Sequence, residues 1–240
     1  MIKFFRQIRY DLMVKNKTGK PAWSVGRYLK YAIGEIFLVV VGILIALSIN
    51  NWNENRKSDN ELYNYLELMG EELQQDKLFY IKLISENKTR LDYLVSLSSG
   101  NFKNLNLENA LENIAYNFAT RNFGSAYYAL KENGELISIN NKELRKQMVH
   151  YYEDLAVDYN QYTDWHRNFV VTNIENYTTE HIPLDIEGNT NPSMVINEMK
   201  NNKLSSIVTY QISNFRGIEK IATDNIKAIE ELYIEIGKIQ

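Results

Sequence analysis

The chain has 240 residues, 45% of them hydrophobic, a formal net charge of −3 and no cysteine. This composition supports a packed core and excludes global disorder, disulfides, thiol nucleophiles and cysteine-based metal sites. The near balance of charge argues against nucleic acid as a partner but hides an asymmetry: residues 1–31 carry eight Lys or Arg against one acid, a net of +7, and residues 50–240 a net of −9.

In chain order, MIKFFRQIRYDLM comes first. Phe5, Ile8 and Leu12 repeat at helical spacing with Lys3, Arg6 and Arg9 on other faces, the composition of an amphipathic helix lying on an anionic leaflet. Gly19, Pro21 and Gly26 are expected to break the chain after it. Ala32–Ile49 is then an uninterrupted run of small and apolar residues except for Glu35. As a helix it measures about 27 Å, close to the thickness of a bilayer core. Arg27 and Lys30 flank one end and Arg56 the other, with Tyr28, Tyr31 and Trp52 as interfacial anchors. The basic segment predicts a cytoplasmic N-terminus and a domain of residues 51–240 on the far side. A cleaved leader ending at Ala46-Leu47-Ser48 is the rival reading. It requires a basic region far longer than that of a signal peptide, so retention as an anchor is expected.

Glu35 sits about one turn inside the span, where its side chain reaches headgroups or Lys30. Spacing adds a second reading. Glu35, Gly42, Ala46, Ile49 and Asn53 share one helix face, and Gly42-x-x-x-Ala46 is a small-xxx-small pair that admits a second helix at close range. The expected occupant is a second copy of the chain or another membrane protein.

Beyond Asn51 the pattern is helical. Ser58-Asp59-Asn60-Glu61 reads as a capping box, followed by Leu62, Leu66, Met69, Leu73, Tyr80 and Leu83, with Gly100 ending that stretch. A second helix is expected over Leu107–Ala119 and a third from Ser125 to Asn133, closed by Gly134. A long one follows the cap at Asn140–Glu143, its stripe being Leu144, Met148, Tyr151, Leu155, Tyr159, Tyr162, His166 and Phe169. Pro183 and Pro192 bracket a loop. Finally Leu204, Val208, Gln211, Phe215, Ile218, Ala222, Asn225, Ile229, Leu232 and Ile236 alternate steps of four and three, a coiled-coil-like seam that Gly217 alone threatens to divide. The expected fold class is all-α: one N-terminal transmembrane helix followed by an antiparallel helical-bundle domain, with segments 1–31, 32–50 and 51–240.

Three stretches carry a resemblance: MIKFFRQIRYDLM, KYAIGEIFLVVVGILIALSINNWNE and YYALKENGELISINNKELRKQMVHYY. Together they are similar to an uncharacterised family of single-pass membrane proteins from Gram-negative bacteria, classed as a domain of unknown function. The similarity is densest in residues 1–55 and 126–152. It implies an inner-membrane anchor with a helical periplasmic domain, and it carries no catalytic residue with it.

Chemistry is sparse. The closest glycines are seven apart, which excludes a P-loop, a dinucleotide fingerprint and a G-x-S-x-G elbow. None of His150, His166 and His181 belongs to an H-E-x-x-H or Glu-x-x-His motif. His150, Glu153, Asp154 and Asp158 read as a solvated face in preference to metal ligands, so neither a metal nor a cofactor is expected. Tyr127, Tyr128, Tyr151, Tyr152, Tyr159, Tyr162 and Trp165, with His166, form an aromatic group that either packs the core or lines a ligand pocket. The leading function is a membrane-anchored, non-catalytic protein whose periplasmic domain mediates protein–protein interaction or self-association. A small-ligand sensor module signalling through a membrane partner is the alternative, since the short cytoplasmic segment holds no output domain. An envelope enzyme ranks third.

Overall fold

The computed structural model describes Tyr10 and residues 24–238, and before Ala32 only the side chains of Tyr10 and Leu29. The expected amphipathic helix, the breaks at Gly19 and Pro21, and the side chains of Tyr28 and Tyr31 lie outside the described residues. Those described are helical with no strand; an isolated bridge pairs Leu184 with Thr190.

Helix α1 runs from Ser24 to Ser98, 75 residues without a break. Gly26, expected before the helix, lies within it, and Ser58–Glu61 starts no new helix. A capping box contributes on the order of 1 kcal/mol. That does not offset a second nucleation in a chain already helical on both sides, with no Gly or Pro between Gly42 and Gly70. The chain nevertheless divides into two compact units, Met1–Ser58 and Asp59–Gln240.

In the first unit the apolar run is bare. Ile36, Phe37, Leu38, Ile43, Leu44, Leu47 and Ile49 are all exposed, on every side of the helix. It is a candidate membrane span by length and composition.

The second unit is a bundle of three long helices. Gly100, in the left-handed conformation, ends α1. The chain then returns alongside it through α2 (Ala110–Ile114), an extended segment, and α3 (Ser125–Glu132). A turn at Glu135–Ile137 leads to the central helix, residues 142–181, made of α4 (Lys142–Val149), α5 (Ala156–Phe169) and α6 (Asn176–His181) joined by π-helical turns at His150–Leu155 and Val170–Glu175. After α7 (Pro192–Met199), α8 (Asn202–Gly237) closes the core. Cross-links set the directions. Gln74–Tyr233, Lys77–Glu230, Tyr80–Asn225 and Asn87–Phe215 make α8 antiparallel to α1. Asn141–Glu235, Tyr162–Asn214 and His166–Gln211 make it antiparallel to the central helix.

All ten predicted seam positions of α8 are buried. Gly217 does not divide the helix. A Cβ there would stand 2.6 Å from the Tyr162 hydroxyl, so the glycine makes room for the central helix. Leu107–Ala119 departs from expectation, being helical only over Ala110–Ile114. Side chains of the long helices take the backbone groups that a longer helix would have bonded. Gln211 donates to the Ile114 carbonyl, Tyr159 to that of Ala119, and Asn160 bonds both backbone groups of Arg121. The central stripe also shifts. Leu155, Tyr162 and Phe169 are half-buried while Tyr152, Ala156, Thr163 and Val170 are buried, because each π turn adds a residue and rotates the register.

Candidate functional site

The span face is simplest in geometry. Glu35, Gly42 and Ala46 are all exposed, and a Cβ at Gly34 or Gly42 would meet nothing within 4 Å. The ground beside Gly42 is therefore open to another helix.

The aromatic group, read from the sequence as core packing or as a pocket lining, does not converge on one space. Tyr127 and Tyr152 stack with centroids 4.6 Å apart, and Tyr151 meets Tyr152 edge-on at 4.7 Å. Tyr159 sits higher, edge-on to Phe79, Tyr80 and Phe123 at 5.3–5.8 Å. Most polar tips have their own partner: Tyr127 donates to Glu153, Tyr151 to Asp76, Tyr159 to the Ala119 carbonyl, Tyr162 to the Asn214 carbonyl, and His166 bonds Gln211, while the buried Tyr152 hydroxyl meets no partner among the described residues. Burial pushes the four bonded tyrosine hydroxyls upward, Tyr162 to about 12. These are packed, neutral rings filling the space between helices. Trp165 is half exposed on the outside.

Around Tyr151 lies a polar cluster that the stripe analysis passed over. Asp76 is 2% exposed, in the middle of the core-facing row Leu66, Met69, Leu73 and Tyr80. Its two oxygens accept from Arg121 Nε and from the Tyr151 hydroxyl, both at 2.9 Å. One turn earlier, Glu72 accepts from the Ala126 backbone N–H at the start of α3. Burial raises the pKa of both carboxyls, opposed at Asp76 by the Tyr151 and Arg121 bonds and at Glu72 by the Ala126 bond. Asp76 and Glu72 thus fasten the returning segment to α1. Tyr152 closes the cluster over Gly124, whose positive φ and lack of a side chain leave room for the ring. The sequence did hold a signal: the seven-residue step from Leu73 to Tyr80 skips position 76, where a helical stripe requires a core-facing residue.

A second polar layer joins His166, Gln211, Asn214 and the Ile114 carbonyl. Gln211 Oε1 is the acceptor, so His166 carries its proton on Nε2, and burial lowers its pKa. His150 pairs with Asp154, and Glu153 with Lys131. No three His, Cys, Asp or Glu side chains among the described residues are placed to hold a metal.

An open groove lies between the Glu135–Ile137 turn and the first half of the central helix. Leu136, Ile137 and Val149 form its floor, and Arg145, Lys146, His150 and Asp154 its rim.

Residues 35–170 match the model of a family of unknown function, DUF6090. The chain belongs to that family. The match begins at Glu35, covers the apolar run, the returning segment and the buried carboxylates, and ends at Val170. Helix α8 lies outside it, yet α8 supplies Phe215, Ile218, Asn225 and Leu232 to the core. No curated protein and no solved structure matches the chain.

Proposed function

We propose that this protein is a single-pass inner-membrane protein of Gram-negative bacteria with a cytoplasmic basic N-terminus and a periplasmic helical domain. Its work is non-catalytic: it associates, with a second copy or with another membrane protein, through the face of Glu35, Gly42 and Ala46. The observation that carries this reading is the bare apolar helix over residues 32–49. Its side chains are exposed on all sides, a surface that water penalises and lipid does not. The +7 segment before it supports the orientation, and the open ground beside Gly42 supports close helix contact.

Gentle solubilisation of tagged full-length protein, followed by identification and stoichiometry of whatever co-purifies, tests the association. We expect a dimer or a stoichiometric membrane partner that is lost in the Glu35→Leu, Gly42→Ile double variant. An unchanged complex in that variant removes the face from the proposal. A monomer without partner in the wild type removes the association.

A further inference from the structure

Ile186 and Ile137 are the two most exposed large apolar side chains among the described residues, at 102% and 81%. Each stands on a fastened turn. Arg145 donates to the Ile137 carbonyl and so ties the Glu135–Ile137 turn to α4. Ile186 crowns the 184–190 turn, which is closed by the Leu184–Thr190 bridge and by Asp185. The Asp185 carboxylate accepts from the backbone N–H groups of Glu187 and Asn189 at 2.9 and 2.8 Å. Thr190 fixes the base of the turn to the Glu108 carbonyl.

The two surroundings are opposite in shape and charge. Ile137 lies in the groove, with Leu136 and Val149 beside it and Arg145 and Lys146 on the rim. Neither base pairs with a carboxylate among the described residues, and Asp154 on the same rim is engaged by His150. Around Ile186 the chain projects and is acidic. Asp185 and Glu187 flank the tip, and the sequence between Arg167 and Lys200 holds five acids and no Lys or Arg. An apolar tip with negative flanks matches an apolar groove with positive ones. Within one molecule the two are held apart: 32 positions of the central helix, about 48 Å, separate Val149 from His181 at the foot of the turn. We propose that the 184–190 turn of one copy seats in the groove of a second copy. Ile186 then packs on Leu136, Ile137 and Val149, and the acidic flanks face Arg145 and Lys146. Turn and groove are different patches, so the contact is heterologous. It goes beyond the association proposed for the span face and does not depend on it.

A single turn is small beside the roughly 800 Å² that each partner of a stable interface buries, so covalent trapping suits the contact better than purification. The cysteine-free chain permits it. Two full-length proteins, one with Ile137→Cys and one with Ile186→Cys, are mixed in mild detergent and oxidised. Both also carry Glu35→Leu and Gly42→Ile, so that trapping reads turn and groove whatever becomes of the span face. The disulfide between positions 137 and 186 should form severalfold faster than one between 137 and Leu78→Cys, an exposed control on α1. Arg145→Glu with Lys146→Glu should bring the rate down to that of the control, and Glu187→Lys in the other protein should restore part of it. Lys146→Glu alone leaves the Arg145 bond to the turn in place and should still slow the reaction. A rate no higher than the control, or indifferent to these charge reversals, overturns the contact. A disulfide between two copies of position 137 that forms faster still overturns the turn as occupant, because the groove then faces its own counterpart.

Discussion

Residues 32–49 of α1 and the C-terminal helix α8 are both rich in Ile, Leu and Val, and they meet opposite surroundings. In the first, apolar residues occupy every side and stay exposed. In the second they follow a three–four alternation and every one of the ten is buried. The contrast shows that periodicity, more than hydrophobicity, records which solvent a helix was built for. A one-sided stripe asks for protein, whereas an unbroken sleeve asks for lipid. It also explains how polar residues fare in each. Gln211 and Asn225 in α8 are buried but bonded to Ile114, His166, Tyr80 and the backbone, so they set register. In the candidate span, Glu35 and the small residues lie on one face, the face to which the proposed association assigns a second helix.

The comparison breaks most visibly if charge is put into each helix. Leu44→Arg with Ile45→Arg places two cations in the centre of the sleeve at about 2.5–3.5 kcal/mol each, together about 5–7 kcal/mol. The protein should move from the membrane fraction to the soluble or degraded fraction. Phe215→Ala, in the α8 seam, should instead leave membrane partitioning unchanged and lower the stability of the bundle by about 3–5 kcal/mol in denaturant titrations. Phe215 is fully buried against Phe118 and Tyr116, with ring centroids 5.1 and 6.3 Å away. If Phe215→Ala changes partitioning, or the double arginine variant remains membrane-bound, the two helices do not divide the work in this way.

Glycine sharpens the comparison at a smaller scale. Gly124→Ala brings a Cβ to 2.5 Å from the Tyr152 ring at a backbone φ of +72° and should cost about 1–3 kcal/mol. Gly42→Ala meets nothing within 4 Å and should leave the stability of the bundle unchanged, its effect appearing in the oligomeric state alone. Thermal unfolding of the two variants, with cross-linking of the second, separates these outcomes.

The regular helices were legible because their apolar spacing was continuous: the span, the α8 seam, the cap at Asn141 and the stop at Gly134 are all present. What was not legible arises from long-range satisfaction of polar groups. Nothing local to Ile114–Gly124 says that Gln211, Tyr159 and Asn160 will take its backbone groups in place of helical bonds. Nothing local to His150–Leu155 announces a π turn that brings Tyr151 to Asp76 and Tyr152 over Gly124. The aromatic residues stood out in the sequence as a group, but the partners of their polar tips lie 24 to 75 positions away, and no local pattern names them.

The smallest effect is a pH signature that divides the two polar layers. Burial lowers the pKa of His166 from 6.5, with the Gln211 bond opposing it. The folded state therefore binds its proton less readily than the unfolded chain. The stability contributed by the neutral imidazole is complete above about pH 6.5 and is lost as pH falls through the folded value. At Glu72 and Asp76 burial acts the other way, raising the pKa above 4.5 and 3.8. Their contribution is complete below those values and is lost as pH rises through the raised ones. On acidification from neutrality the imidazole layer should weaken the bundle while the carboxylate layer strengthens it. His166→Gln removes the first contribution and Asp76→Asn reduces the second. Unfolding of full-length protein in detergent at constant ionic strength should then show His166→Gln losing less stability below pH 6.5 than the wild type, and Asp76→Asn gaining less towards pH 4. A His166→Gln variant that keeps the wild-type decline places its origin outside the buried imidazole.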